Sequence, residues 1–176
     1  MRRPVIFFYS LIFILAFPLK LPGQAVSSAS ADGHITAEII PIYTASETSQ
    51  MNFGRFSPGP QGGEIILTPA STISVLGSVF TGVGVHNAAS FYLSGDVDAA
   101  FSVTLPSGPV VLTHTESAKT MLVEDWRSSP PSGVGTGMLK NGFQVIYVGA
   151  TLKVGTLTDN PIGSYAGSFS ITFDFN

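Results

Sequence analysis

The sequence predicts an all-β protein, an antiparallel β-sandwich of Greek-key type, and three observations carry that prediction. Apolar and polar residues alternate with a period of two in several separate stretches, and clusters rich in Gly, Pro, Asn and Asp divide those stretches. Beyond residue 25 no run shows a convincing helical period; Ser117 to Met121 could form one turn at most. Composition agrees: 11% charged residues, 19 glycines, no cysteine and plentiful Thr, Ser, Val, Ile and Phe describe a strand-rich chain.

In chain order, His34 to Ile39 alternates and Ile40-Pro41-Ile42-Tyr43 continues it as an edge-type strand interrupted by proline. A short strand is expected at Met51 to Phe56, followed by a turn cluster, Ser57-Pro58-Gly59-Pro60-Gln61-Gly62-Gly63. Glu64 to Thr68, Thr72 to Phe80, Ala88 to Leu93 and Ala99 to Leu105 are the next strands, with Gly95-Asp96-Val97-Asp98 as a tight hairpin between the last two. Val110 to His114 and Thr120 to Trp126 follow. Ser128-Ser129-Pro130-Pro131-Ser132-Gly133 reads as a loop, and Phe143 to Val154 and Gly163 to Phe175 as the closing strands. Roughly nine short strands so spaced make a sandwich, and nothing indicates a repeat or a second domain.

The amino end reads as an export signal. Arg2 and Arg3 precede a nearly continuous apolar run from Val5 to Phe17, and Gly23-Gln24-Ala25 offers a small-x-small cleavage site. The thirteen residues Val5 to Phe17, apolar but for Ser10, would in a helix reach about 20 Å, short of a bilayer core of about 30 Å. The expected organisation is therefore a signal peptide over 1–25, a flexible leader over 26–33 (Val-Ser-Ser-Ala-Ser-Ala-Asp-Gly) and one sandwich domain over 34–176. The expected destination is the periplasm, the cell surface or the extracellular space, with no transmembrane segment left after cleavage.

After cleavage eleven acids face five bases, Arg55, Lys119, Arg127, Lys140 and Lys153, for a net charge of about −6. No basic cluster exists, so nucleic acid is not an expected partner. The absence of cysteine excludes disulfide, zinc-thiolate and cysteine-nucleophile chemistry.

The last strand is the most informative segment. Tyr165, Gly167, Phe169, Ile171, Phe173 and Phe175 share one face; Ser164, Ala166, Ser168, Ser170, Thr172, Asp174 and Asn176 share the other. Such a strand would be about 40 Å long with one strongly apolar face.

These residues resemble chaperone–usher pilins, which end in an amphipathic strand with an aromatic residue next to last and a glycine fourteen positions from the end; Phe175 and Gly163 stand at those places. Phe53-Gly54-Arg55-Phe56-Ser57-Pro58 is similar to an element of spore-coat-U-type pilins. The chain more closely resembles a family of bacterial secreted proteins known as a domain of unknown function. The shared segments are Met51-Asn52-Phe53-Gly54, Gly62 to Ile65, Ala99 to Pro106, Val148 to Leu152 and Gly163 to Thr172.

The resemblance implies an immunoglobulin-like, pilin-like sandwich that assembles by β-strand addition, with like subunits and a periplasmic chaperone as partners. It implies that Gly163, Tyr165, Phe169, Ile171, Phe173 and Phe175 form the core and assembly strand. Val26 to Ile42 would be the donor, with Ile35, Ala37 and Ile39 as the inserted row. The chain departs from spore-coat-U-type pilins in having no disulfide, and the donor row is short.

Chemistry is harder to find. His34, His86 and His114 lie in separate contexts without metal-ligand spacing. Asp96 and Asp98 beside Gly95 read as turn chemistry rather than a calcium loop. Glu124 and Asp125 are adjacent on a strand and so point to opposite faces, a poor arrangement for paired carboxylates. Neither Gly82-Val83-Gly84 nor Gly133-Val134-Gly135-Thr136-Gly137 has the ending a phosphate loop requires, and Gly163-Ser164-Tyr165-Ala166-Gly167 is not a nucleophile elbow. The expectation is a non-enzymatic protein without cofactor: a secreted structural or adhesive subunit. The alternative is a self-contained sandwich that binds a glycan or protein through loops 81–87 and 128–137, near Phe80 and Trp126.

Overall fold

The computed structural model describes residues 29–40 and 42–175. The expected signal peptide and the first residues of the leader lie outside that range. The described residues form eleven strands and no helix: β1 (Thr44–Ser49), β2 (Phe56–Leu67), β3 (Ile73–Thr81), β4 (Ala89–Ser94), β5 (Ala100–Thr104), β6 (Val110–His114), β7 (Thr120–Ser129), β8 (Gly133–Met138), β9 (Phe143–Val154), β10 (Tyr165–Ala166) and β11 (Thr172–Phe175). All pairings are antiparallel, and the fold is all-β and sandwich-like. A larger sheet runs β1-β4-β9-β7-β6-β10, with the β2–β3 pair joined to β9; a smaller sheet runs β11-β5-β8.

β9 organises the larger sheet. Its even-numbered residues Ile146, Val148, Ala150, Leu152 and Val154 point inward and are buried. Each fully buried Ile, Val or Leu side chain stabilises the fold by about 1.5–3 kcal/mol. β4 pairs with its first half and β2 with its second, while β7 spans the junction, so β4 and β2 share one edge of β9. They hand over at Gly149, where a Cβ would stand 2.2 Å from the Leu67 carbonyl oxygen. Only glycine admits that approach.

The core has two parts. Ala89, Leu93, Ile146 and Val148 of the larger sheet pack on Phe101 and Val103 of the smaller one, with Phe173 and Phe175 half-buried against them. The second part contains Ile65, Leu67, Met121, Val123, Leu152 and Val154, all from the larger sheet, with Phe53 added from the 50–55 segment. No residue of β5, β8 or β11 belongs to it. The smaller sheet therefore covers one half of the core and leaves the other to loops.

Several expected elements differ. Residues 34–40 form no strand: Ile35 and Ile39 are 96% and 98% exposed, Ala37 is exposed too, and the first strand begins at Thr44. An alternating row has nothing to bury against unless a sheet edge accepts it. Of the strand expected at Met51 to Phe56, Asn52 makes an isolated bridge to Asn87 and Phe56 opens β2. The turn cluster 57–63 lies inside β2, whose pairing to β3 breaks between Pro58 and Gly63; a bulge accommodates prolines that a regular ladder rejects.

Gly95 to Asp98 is not a hairpin, because β4 and β5 lie in different sheets. Both edges of β4 are already occupied by β1 and β9, so the chain must cross. The 128–133 loop shortens to Pro130–Ser132, and glycine-rich β8 pairs with β5. Gly137 faces Phe101 so closely that a Cβ would meet the ring at 2.2 Å.

The long terminal strand is divided. Tyr165–Ala166 pairs with β6 in the larger sheet and Thr172–Phe175 pairs with β5 in the smaller one; 167–171 belongs to no strand. The chain changes sheets there. Its period of two survives the crossing: Tyr165, Phe169, Ile171, Phe173 and Phe175 are half-buried, and the residues between them are exposed.

Candidate functional site

The crossing leaves an opening. A groove of about 880 Å³ lies between the 50–58 segment and residues 160–169. Its floor is the part of the core that the smaller sheet does not cover: Phe53, Leu112, Met121, Val123, Leu152 and Tyr165. At the boundary between the two core parts Trp126 packs against Phe169, ring centroids 4.7 Å apart and planes tilted by 35°, and its indole N–H donates to the Gly108 carbonyl at 3.3 Å.

One rim of the groove is held by a compact set of contacts. His114, buried, has Nδ1 accepting from the Glu116 N–H at 3.0 Å and Nε2 at 3.1 Å from the Ile162 carbonyl oxygen. With Nδ1 accepting, the ring proton is assigned to Nε2, which donates to Ile162. Tyr165 meets the imidazole edge-on at 4.9 Å and donates its hydroxyl to the Pro161 carbonyl at 3.0 Å. Gly163 lies over the ring with φ +154°. Asn160, buried, donates to Thr120 O at 2.8 Å and accepts from Gly155 N at 2.5 Å. Asp159 accepts from the Thr156 hydroxyl at 2.7 Å and the Thr156 N–H at 3.2 Å, which hold its carboxyl below the usual range.

This rim presents an open edge. Among the described residues β11 pairs only with β5, β10 only with β6, and residues 167–171 between them carry no strand pairing. Backbone without strand pairing beside a groove with an apolar floor suits an added β-strand: its backbone extends the ladder and its alternate side chains enter the groove. The charged residues lining the groove are Glu47 and Arg55.

Of the residues expected from sequence, Gly163, Tyr165 and Phe169 converge on this groove. Ile171, Phe173 and Phe175 lie beyond it, against the part of the core shared by both sheets, where Phe175 stacks on Tyr43 at 4.2 Å. Ile35, Ala37 and Ile39 lie on the exposed segment before β1. Met51, Phe53, Arg55 and Asn160 are groove residues that the sequence did not single out; the first three belong to the Met51-Asn52-Phe53-Gly54-Arg55 segment whose pattern drew attention without indicating a role.

The loops of the alternative reading are also visible. Phe80, Val83 and Val85 are exposed, at 67%, 98% and 76%. Trp126 is half-buried on Phe169 and does not offer a free ring face there. On the outer face Lys153 bridges Glu64 at 2.5 Å and Glu124 at 3.0 Å, joining β2, β9 and β7; the hydrogen bond with Glu64 and then that with Glu124 raise its ammonium above the usual range. Among the described residues no helix is long and apolar enough to cross a membrane.

Residues 43–175 match the family model of a domain of unknown function, DUF4402. The chain belongs to that family. The match runs from the residue before β1 to the end of β11, so the domain includes the groove and excludes the exposed segment before it. No curated protein and no solved structure matches the chain.

Proposed function

We propose that this DUF4402 protein is an exported, non-enzymatic structural or adhesive subunit that assembles by β-strand addition into the groove. The observation that supports this reading most is the terminal segment's change of sheet. It leaves a groove over the part of the core that the smaller sheet does not cover, with residues 167–171 outside any strand pairing beside it. A strand laid there gains backbone hydrogen bonds and buries apolar side chains in one step.

The supply of such a strand is at hand in the 34–40 segment. It alternates, it is exposed, and Ile35 and Ile39 are almost fully solvated. An exposed apolar row in a chain with few charges is costly in water and is characteristic of a surface awaiting a partner.

Size-exclusion chromatography with light scattering on residues 26–176, beside the same protein with Ile35→Ser and Ile39→Ser, tests the reading. Oligomers from the wild type and monomers from the variant support it. Monomers from both sink it, and attention then moves to exposed Phe80, Val83 and Val85 as a loop-borne binding surface for a glycan or a protein.

A further inference from the structure

We infer that Arg55 at the groove rim pairs with Glu38 of a second copy of this chain and thereby fixes the register of the added strand. The inference rests on the strand-addition reading and supplies what that reading lacks, a reason for one register over another.

Arg55 is exposed, and its stem lies along the 82–84 backbone, where a Cβ on Gly84 would stand 3.4 Å from Arg55 Cγ. Among the described residues the ion pairs involve Lys153, Glu64 and Glu124; Arg55 makes none. It is the one cation lining the groove among the described residues. The 34–40 segment carries a single acid, Glu38. When Ile35, Ala37 and Ile39 point to the floor, His34, Thr36 and Glu38 point to the rim. The acid of the donor and the exposed cation of the acceptor thus both stand on the solvent side of the groove.

Register gives the pairing its purpose. A slip of one residue turns the apolar row away from the floor and is excluded by burial. A slip of two keeps the row inward, and an Ile-Ala-Ile row of three residues discriminates poorly against it. A charge pair at one position separates these registers. Copies with an excess of acids also repel one another at long range, so a local attraction at the contact favours the docked state.

The test uses two single variants of the 26–176 chain, Glu38→Arg and Arg55→Glu. Each places like charges together in self-assembly, while a 1:1 mixture restores opposite charges between copies. Half-assembly concentrations come from light scattering at low salt, and circular dichroism checks that both variants remain folded. Each variant alone is expected to need about tenfold more protein to assemble than the wild type, with the mixture recovering most of that loss. The effect shrinks in high salt, where exposed charges are screened. Variants that assemble as well as the wild type, or a mixture no better than its components, overturn the pairing and leave strand addition standing. A wild type that stays monomeric overturns strand addition, and the pairing with it. Should Arg55→Glu unfold, Arg55→Gln replaces it, and undiminished assembly by that variant counts against the pairing equally.

Discussion

Gly163 and His114 are in direct contact: a Cβ on Gly163 would stand 2.0 Å from His114 Nε2, the nitrogen that bonds the Ile162 carbonyl. The backbone of the groove rim thus lies close against the Nε2 corner of a buried imidazole, and a glycine is required at this position by space.

Gly163→Ala therefore forces either the ring or the rim to move, at φ +154°. Overpacking of this kind costs about 1–3 kcal/mol. Chemical denaturation should show a lower midpoint with an unchanged slope. An unaltered midpoint would mean that the rim is loose at this place.

Phe101 is fully buried and meets Phe173 and Phe175 at centroid distances of 6.5 and 5.8 Å. Phe101→Ala should destabilise the fold by about 3–5 kcal/mol. It also removes the surface on which β11 rests, so hydrogen exchange at Thr172–Phe175 should rise more than at β7. Equal increases at both would indicate that β11 is held by its ladder alone.

Asp159 gives a pH dependence of known sign. Hydrogen bonds from Thr156 depress its carboxyl in the folded state, so the stability it adds is present above the ordinary carboxylate range and is lost as pH falls through the depressed value. Asp159→Asn should lower thermal stability near pH 7 and approach the wild type in acid strong enough to protonate the carboxyl in both the folded and unfolded states. A difference that stays constant with pH would show that the turn needs the side-chain oxygen and not its charge.

Lys153 has the opposite sign. Glu64 and Glu124 raise its ammonium, so its contribution is complete below the ordinary lysine range, about 10.4, and is lost as pH rises through the raised value. Lys153→Met should be less stable at neutral pH, leaving Glu64 and Glu124 without their shared cation. The gap to the wild type should narrow in strong alkali. A variant as stable as the wild type at neutral pH would mean that the triad adds nothing net.

Much of this was legible locally. β9 was expected at Phe143 to Val154 and stands there, because a twelve-residue run rich in Val, Ile, Phe and Tyr leaves its mark directly in the chain. β8 escaped notice because half its residues are glycine, whose burial against Phe101 carries no apolar pattern. The groove was half legible: Gly163, Tyr165 and Phe169 belong to the alternating row, whereas Phe53 and Asn160 reach the site through loops with no period to read. The 34–40 segment has the alternation of a strand but is exposed and paired with no strand, because alternation alone does not create a partner.

The sequence by itself determined that the domain is all-β, where most strands lie and which side of the terminal segment is apolar, because these follow from the two-residue period of an extended chain. Tertiary structure alone decided that this segment changes sheets between Ala166 and Thr172 and leaves a groove over part of the core. Pairing partners are chosen by competition among edges far apart in sequence: β6 offers one to Tyr165 and β5 another to Phe173. A local pattern holds no record of that choice, since side chains facing the same way satisfy either sheet.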